Sequence, residues 1–198
     1  ALLNTKMSKA EATKTFGLDP DKKTILLVGG SLGAKTINDS ILHHLDLVDQ
    51  KDIQFIWQTG KYYNKQITEE LKGKLPSNLI VTDFISDMGA AYTAADLVIS
   101  RAGASSISEF CLIGKPVILV PSPNVAEDHQ TKNAMALVNK QAAIYVKDSD
   151  APDCLLEQAI KLIKDDDKLK NLSENILKPA LPDSADIIAK EVIKMIRK

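Results

Sequence analysis

Short apolar runs alternate with amphipathic helical segments about six times along this chain of 198 residues. Each run is rich in β-branched or aromatic residues and is closed by glycine, proline or small polar residues, a pattern typical of buried strands. Alternation of strands with helices predicts an α/β fold with a parallel six-stranded sheet and helices on both faces. The predicted strands are 24–28, 53–58, 79–82, 96–100, 116–120 and 143–146.

The helical segments between these strands carry recognisable start and stop signals. Ser8-Lys9-Ala10-Glu11 is a capping box that opens a short helix, and Gly114 suits the end of another helix. The helix after the first strand is predicted over 34–47, and the next over 62–72. No linker is long enough to divide the chain, so we expect one domain over 24–198, preceded by a short helical lead-in over 1–23.

The composition excludes several classes of protein. The formal net charge is −1, from 25 basic and 26 acidic residues, which argues against a nucleic-acid partner. Two cysteines, Cys111 and Cys154, are too few for a disulfide framework and fit a reducing compartment. No apolar run reaches the roughly 18 residues of a membrane-spanning helix, and no secretory signal is visible at the start.

The first candidate site is the turn Gly29-Gly30-Ser31-Leu32-Gly33, between the first strand and its helix. Glycines let the backbone approach a ligand, and a helix start offers N–H groups and positive potential to a phosphate. A tight turn with no ligand is the alternative. A nicotinamide site is disfavoured because the spacing is not G-x-G-x-x-G and because Gln58-Thr59-Gly60 supplies no acid for a ribose.

The second candidate site follows the strand that ends at Ser100, where a small-residue turn leads into a helix carrying Glu109. Side chains three and four residues apart share a helix face, so Glu109 lies with Ser105 and Ser106 at the mouth of the site. A carboxylate can accept from both cis hydroxyls of a ribose. An exposed helix glutamate without a ligand is the alternative.

Two further loops lie at the same sheet edge. Residues 121–134 form a proline-bounded loop that enters a polar helix, and such side chains can hold a sugar. The plainer interpretation is a helix with Asp128 as its cap or first-turn acid. Residues 83–88 place an apolar wall beside free backbone groups, which suits a base, although alone they are only a loop.

Taken together, these motifs resemble the C-terminal, donor-binding half of the MurG family, bacterial transferases that add N-acetylglucosamine to lipid I. The matching pieces, in order, are Gly29-Gly30-Ser31-x-Gly33-Ala34, Phe84-Ile85-x-Asp87-Met88, Arg101-x-Gly103-Ala104-x-x-x-Ser108-Glu109 and Gln130-x-x-Asn133-Ala134. The match runs from about Thr24 to the end of the chain.

The resemblance implies the donor UDP-N-acetylglucosamine and a Rossmann-like domain that is one half of a GT-B glycosyltransferase. It places uracil against the backbone of Ile85 near Met88, and ribose on Glu109. It places the sugar near His129 and Gln130, although position 129 is more often Gln in the family. The residues it assigns to the diphosphate are those of the two small-residue turns: Gly30, Ser31, Gly33, Gly103, Ala104, Ser105 and Ser106.

The implied reaction is inverting transfer of N-acetylglucosamine to lipid I, without a cofactor or metal ion. By the same resemblance, lipid I, the general base and the membrane contact belong to an N-terminal domain outside these residues. The whole enzyme would lie on the cytoplasmic face of the bacterial inner membrane. The alternatives are a UDP-sugar-binding subunit of a two-component transferase, a UDP-N-acetylglucosamine 2-epimerase and a glycolipid transferase.

The remaining conspicuous residues favour plain structural interpretations. Asp148-Ser149-Asp150 has the D-x-D spacing of metal-dependent transferases, but it precedes Pro152 and a helix and is interpreted as a turn and cap. His43 and His44 are expected on a helix surface. Trp57 is expected in the core.

Overall fold

The structure of the chain is a computed structural model, which describes residues 7–49 and 52–196. Its centre is a six-stranded parallel sheet in the order β3-β2-β1-β4-β5-β6, which confirms the predicted fold class. The strands are β1 (Lys23–Val28), β2 (Ile53–Gln58), β3 (Leu79–Thr82), β4 (Leu97–Ser100), β5 (Val117–Leu119) and β6 (Ile144–Tyr145).

Helices cover both faces of the sheet. They are α1 (Lys9–Thr15), α2 (Lys35–Leu42), α3 (Leu45–Val48), α4 (Asn64–Glu70), α5 (Met88–Ala94), α6 (Ala104–Ile113), α7 (His129–Val138), α8 (Ala151–Ile163), α9 (Asp166–Leu177) and α10 (Ser184–Ile196). Two short 3-10 helices, Ala126–Asp128 and Asp148–Asp150, precede α7 and α8.

Alternating side chains of the central strands build two cores, one on each face of the sheet. Ile25 and Leu27 of β1 lie in the first core, under α2 and α8, whereas Leu26 lies in the second. Successive side chains of a strand point to opposite faces, so a strand covered on both sides is composed mainly of apolar residues. This is why the strands read as continuous apolar runs in the sequence. Trp57 is fully buried in the first core, as expected.

The first predicted crossover helix, 34–47, is wrong in one respect, because the structure divides it into α2 and α3. His44 leaves helical geometry, with φ −131° and ψ 41°, and its ring nitrogen Nδ1 contacts the carbonyl oxygen of Ser40 at 3.2 Å. The redirected chain buries Val48 in the first core. The next helix is shorter than the predicted 62–72, because a turn occupies its first residues.

The two ends of the described chain differ in how they pack. The capping box at Ser8 and Glu11 is present in α1, which packs against α5 and pairs Lys9 with Asp96 at 2.7 Å. The last helix, α10, leaves large apolar side chains in solvent, among them Ile188 and Ile196. No helix in the described ranges combines the length and the hydropathy needed to cross a bilayer.

Candidate donor-binding site

The candidate site lies where the strand order reverses. β1 and β4 are neighbours, with Val28 opposite Ser100 at their carboxyl ends. From β1 the chain continues to β2 and β3 on one side, and from β4 to β5 and β6 on the other. The loops that leave two such strands move apart and open a crevice, the usual ligand position in open α/β sheets.

The glycine loop after β1 is a tight turn that depends on left-handed backbone. Gly30 and Gly33 have φ values of +84° and +89°, and the N–H of Gly33 donates to the C=O of Gly30 at 2.9 Å. Ser31 is exposed at the tip, beside Leu32, whose side chain is 73% exposed. The tip of the loop is therefore open to solvent at Ser31, on the turn where the resemblance implies the diphosphate.

A second turn locks this glycine loop in place. A Cβ on Gly60 would lie 2.1 Å from the nitrogen of Gly33, and a Cβ on Gly33 would lie 2.1 Å from the oxygen of Thr59. The N–H of Lys61 also donates to the C=O of Ser31 at 3.2 Å. The two turns pack backbone against backbone, so each fixes the shape of the other.

A buried asparagine supports the second turn from below. Asn38 of α2 is 1% exposed; its Nδ2 donates to the oxygen of Thr59 at 3.0 Å and its Oδ1 accepts from Nε1 of Trp57 at 2.9 Å. A fully paired amide inside a core fixes its neighbours in one arrangement. The sequence analysis did not find this role of Asn38, although an asparagine on the buried face of a predicted helix was a usable signal.

Both helices that begin at the crevice have free N-terminal N–H groups. No side chain caps α2, whose N-cap is Ala34, or α6, whose N-cap is Gly103. The first backbone hydrogen bond of α6 runs from the N–H of Ile107 to the C=O of Gly103, and the N–H groups before Ile107 have no partner among the described residues. Two uncapped helix starts on either side of one crevice provide positive potential for an anion.

Glu109 lies in the second turn of α6, and its partner is a tyrosine that the sequence analysis did not consider. The hydroxyl of Tyr92, on α5, donates to Oε2 of Glu109 at 3.0 Å. Burial, then the charge of Glu109 and this hydrogen bond, raises the pKa of Tyr92 well above its ordinary value, so the phenol keeps its proton. Of the neighbouring predicted residues, Ala104 and Ser105 are exposed and Ser106 is partly exposed.

The predicted base position combines a buried side chain with open backbone. Ile85 is 5% exposed and packs in the second core, with Met88 against the same core. Within the described residues, no backbone hydrogen bond uses the N–H or the C=O of Ile85. Phe84 is 50% exposed beside it, and Nζ of Lys61 lies 5.6 Å from the centre of its ring.

The two predicted sugar-binding residues differ in their surroundings: Gln130 is hydrogen-bonded to backbone, whereas His129 is exposed. Oε1 of Gln130 accepts from the N–H groups of Ala102 and Ser122, at 3.2 and 2.9 Å, and Nδ2 of Asn133 donates to the oxygen of Ala102 at 3.1 Å. These two amides of α7 hold the turn that leads into α6. Gln130 therefore supports the backbone at Ala102 and Ser122 through its oxygen, and its Nε2 makes no hydrogen bond to the described residues. The His129 side chain is 59% exposed, with Nε2 3.5 Å from Glu127.

The chain enters α7 through a strained segment. Glu127 and Asp128 have φ values of 52° and 53°, in the left-handed region that non-glycine residues seldom adopt. Asp128 stands at the N-cap position, one of the two places that the plainer interpretation gave it, but its side chain makes no capping hydrogen bond. Left-handed backbone replaces the extended backbone that a side-chain cap requires.

Arg101, which the resemblance included without a role, ties three segments together. Its guanidinium donates to Asp148, to the oxygen of Val120 at 3.0 Å and to Oγ1 of Thr36 at 3.2 Å. Oγ1 of Thr36 in turn donates to Asp148 at 2.6 Å. The cluster joins the start of α2 to the carboxyl ends of β4 and β5. The sequence analysis did not find this cluster, because Thr36 and Asp148 stand 112 residues apart in the chain.

The interpretation of Asp148-Ser149-Asp150 as a turn and cap is half right. These residues form a 3-10 turn before α8, but Asp150 makes no side-chain cap and instead accepts from Ser149 at 2.7 Å. Pro152 in the first turn of α8 lacks an N–H, which reduces what a cap could satisfy. The carboxylate of Asp148 belongs to the Arg101 cluster.

Residues 24–188 match the family model described as "Glycosyltransferase family 28 C-terminal domain". This chain belongs to that family. The residues that match this family model run through the six strands and include the loops at the crevice between β1 and β4. The predicted resemblance is thereby confirmed at the level of the family.

Similar proteins agree with this membership. The chain is 65% identical, over 98% of its length, to the Bacteroides fragilis protein named UDP-N-acetylglucosamine--N-acetylmuramyl-(pentapeptide) pyrophosphoryl-undecaprenol N-acetylglucosamine transferase, and covers 52% of that protein. It is 67% identical over 94% of its length to the Bacteroides thetaiotaomicron protein of the same name, covering 51%. The chain therefore spans about half the length of the curated relatives it matches.

A solved structure also agrees. The crystal structure of Acinetobacter baumannii MurG matches with a TM-score of 0.75 and 27% identity, over 98% of this chain and 55% of that one. Family 28 membership and the six-stranded fold thus rest on both sequence and structure.

Proposed function

We propose that this chain is the UDP-N-acetylglucosamine-binding half of an inverting transferase that converts lipid I to lipid II in peptidoglycan synthesis. The observation that carries the proposal is the crevice between β1 and β4, where two uncapped helix starts and Glu109 meet at one sheet edge. The names of the Bacteroides relatives supply the donor and the acceptor.

The residues around the crevice fit a nucleoside diphosphate sugar part by part. The glycine loop and the start of α6 take the diphosphate, Glu109 takes the ribose hydroxyls, and the open backbone of Ile85 takes the edge of uracil beside Met88. Gln130, with its oxygen already occupied, offers Nε2 to an oxygen of the sugar. His129 approaches the sugar from the exposed side of the α7 start.

The chemistry asked of this half is charge stabilisation. In inverting transfer, a hydroxyl of the muramyl sugar attacks the anomeric carbon while the bond to the diphosphate oxygen breaks. UDP leaves with the bonding electron pair, and the hydroxyl proton passes to a base. Oriented N–H groups at the starts of α2 and α6 stabilise the charge growing on the diphosphate.

The remaining parts of the reaction belong, in this proposal, to the other half of the relatives' length. Lipid I, the general base and contact with the cytoplasmic face of the membrane are assigned there, and residues 24–198 are assigned to the donor. The binding-subunit, epimerase and glycolipid-transferase alternatives are less favoured, because relatives at 61–67% identity all carry the same transferase name.

The test is calorimetric titration of UDP into the chain and into Glu109→Ala. Loss of the hydrogen bonds that the ribose hydroxyls donate to this charged carboxylate should weaken binding by roughly 1.5–3 kcal/mol. Glu157→Ala, which removes an exposed helix glutamate on α8, is the matched control and should bind like the unmodified chain. Equal affinity of Glu109→Ala and the unmodified chain would remove Glu109 from the site.

A thermal-shift panel tests the base. UDP should raise the unfolding temperature more than ADP or GDP, because a backbone edge shaped for uracil does not match the larger purine edges. NAD should have little effect. Stabilisation by NAD above that by UDP would support the nicotinamide site that the glycine spacing disfavours.

A further inference from the structure

Tyr92 is buried against the one predicted ligand-binding carboxylate of the crevice. It lies on α5, is 5% exposed, and its ring packs edge-on against Phe110 with 5.8 Å between centroids and 83° between planes. Its hydroxyl reaches Oε2 of Glu109 at 3.0 Å. A buried ring held on one side by an aromatic neighbour has little freedom, so the hydroxyl is a fixed donor.

The hydrogen bond leaves the ligand-accepting capacity of Glu109 intact. A carboxylate has about four acceptor positions on its two oxygens, and the tyrosine hydroxyl has one proton to give. Oε1 of Glu109 accepts no hydrogen bond from the described residues, and Oε2 keeps a second position. About three acceptor positions therefore remain, which is enough for the two cis hydroxyls of a ribose.

Fixing the carboxylate in advance matters because a free glutamate has several rotamers. Immobilising such a side chain on binding weakens affinity by about twofold to tenfold. A carboxylate already held by a buried donor does not incur that cost when the nucleotide arrives. It also presents its acceptors in one direction, so that a hydroxyl in the wrong place, or a missing one, is penalised.

We propose that Tyr92 is a positioning residue that holds the Glu109 carboxylate for the 2′ and 3′ hydroxyls of the nucleotide and so sets the preference for ribose over 2′-deoxyribose. The inference rests on the proposed function, because it takes Glu109 as the ribose acceptor. It assigns a role to a residue that touches the nucleotide only through its neighbour.

The experiment measures dissociation constants for UDP and for 2′-deoxy-UDP with the unmodified chain and with Tyr92→Phe. The unmodified chain should prefer UDP by about tenfold or more, the value of one hydrogen bond to a charged group. Tyr92→Phe keeps the ring and its packing on Phe110 and removes only the hydroxyl. The preference should fall about threefold or more, mainly through weaker binding of UDP.

Two controls isolate the hydroxyl. Tyr145→Phe removes another phenol that packs against the same core and should leave the preference unchanged. In a Glu109→Gln background, Tyr92→Phe should have no further effect on the preference, because the pair acts as a unit. Phe110→Leu keeps the Tyr92 phenol but loosens the packing of its ring, so the preference for UDP over 2′-deoxy-UDP should fall by less than in Tyr92→Phe. If Tyr92→Phe does not fold, Phe110→Leu provides the test.

The outcomes separate the two proposals. No binding of UDP by the unmodified chain overturns the proposed function. UDP binding with an unchanged preference in Tyr92→Phe, or an equal loss for UDP and 2′-deoxy-UDP, overturns the positioning role and leaves the proposed function standing.

Discussion

The side chain of Arg101 connects several segments at the carboxyl edge of the sheet, although the sequence analysis quoted Arg101 only as part of a family motif. Its partners, Asp148, Val120 and Thr36, come from three separate segments. Arg101 and Asp148 are 18% and 16% exposed, so the pair is largely desolvated. Removing one partner from such a pair leaves an uncompensated charge.

Arg101→Met should therefore lower the free energy of unfolding by about 2–4 kcal/mol, somewhat less than for a fully buried pair. Arg101→Lys should recover part of this loss, since an ammonium can reach Asp148 but cannot serve all three acceptors. Urea denaturation measures both, with Lys65→Met on the exposed face of α4 as the control. A loss no greater than that of Lys65→Met would contradict the role of the cluster.

At the residue scale, sequence reasoning predicted the elements that carry the candidate residues better than the contacts of each side chain. Glu109 is on the expected helix at the expected turn. Gln130 was predicted to contact a sugar, and the structure adds that its oxygen already holds the backbone of Ala102 and Ser122. Such contacts join residues far apart in the chain, and spacing within a motif carries no information about them.

Among the elements, the packing of the glycine loop against the turn at Gly60 is the contact least tolerant of change. Gly60 and Gly73 both have positive φ, at +80° and +71°, but a Cβ on Gly73 meets nothing within 4 Å. The two glycines therefore separate the cost of left-handed backbone from the cost of a backbone clash.

Gly73→Ala should lower the free energy of unfolding by about 1–2 kcal/mol, the cost of a left-handed alanine. Gly60→Ala should cost clearly more, because its methyl group would displace the nitrogen of Gly33, and UDP affinity should fall with it. Chemical denaturation and calorimetry of the two variants give the comparison. Similar values for both would mean that the glycine loop moves aside freely.

The regular elements were predictable because their signals are local. All six strands were found from apolar runs, and the α1 capping box is present as predicted. The break at His44 was not found, because nothing in that stretch resembles a helix stop and the turn is set by burial of Val48. The backbone contact between Gly33 and Gly60 was likewise invisible, since it joins two turns from neighbouring strands.

On the scale of the whole molecule, one continuous sheet with a core on each face predicts a chain that folds alone. We expect one cooperative unfolding transition for residues 1–198 and measurable but weak UDP binding. We expect no lipid I-dependent release of UDP, because the proposal assigns the acceptor and the general base to the other half of the relatives' length. Joining the chain to the N-terminal half of the Bacteroides fragilis relative should restore transfer.

The control for this experiment is the same fusion carrying Glu109→Ala. This variant should fold normally but transfer N-acetylglucosamine poorly. Robust turnover by the unfused chain would place the catalytic groups within these residues. Failure of the fusion to transfer, together with intact UDP binding, would leave the donor assignment standing and point to a mismatch between the two halves.

The crevice is built largely from main-chain N–H groups, at the starts of α2 and α6 and at Ile85. A point mutation to any residue other than proline replaces a side chain and keeps the main-chain N–H group. An inhibitor that engaged only them would offer a cell few single-codon routes to resistance. Substitution of Gly33 or Gly60 would move the main chain of the loop, but the added Cβ would clash with neighbouring backbone. Such a mutation would destabilise the protein as well as weaken inhibitor binding.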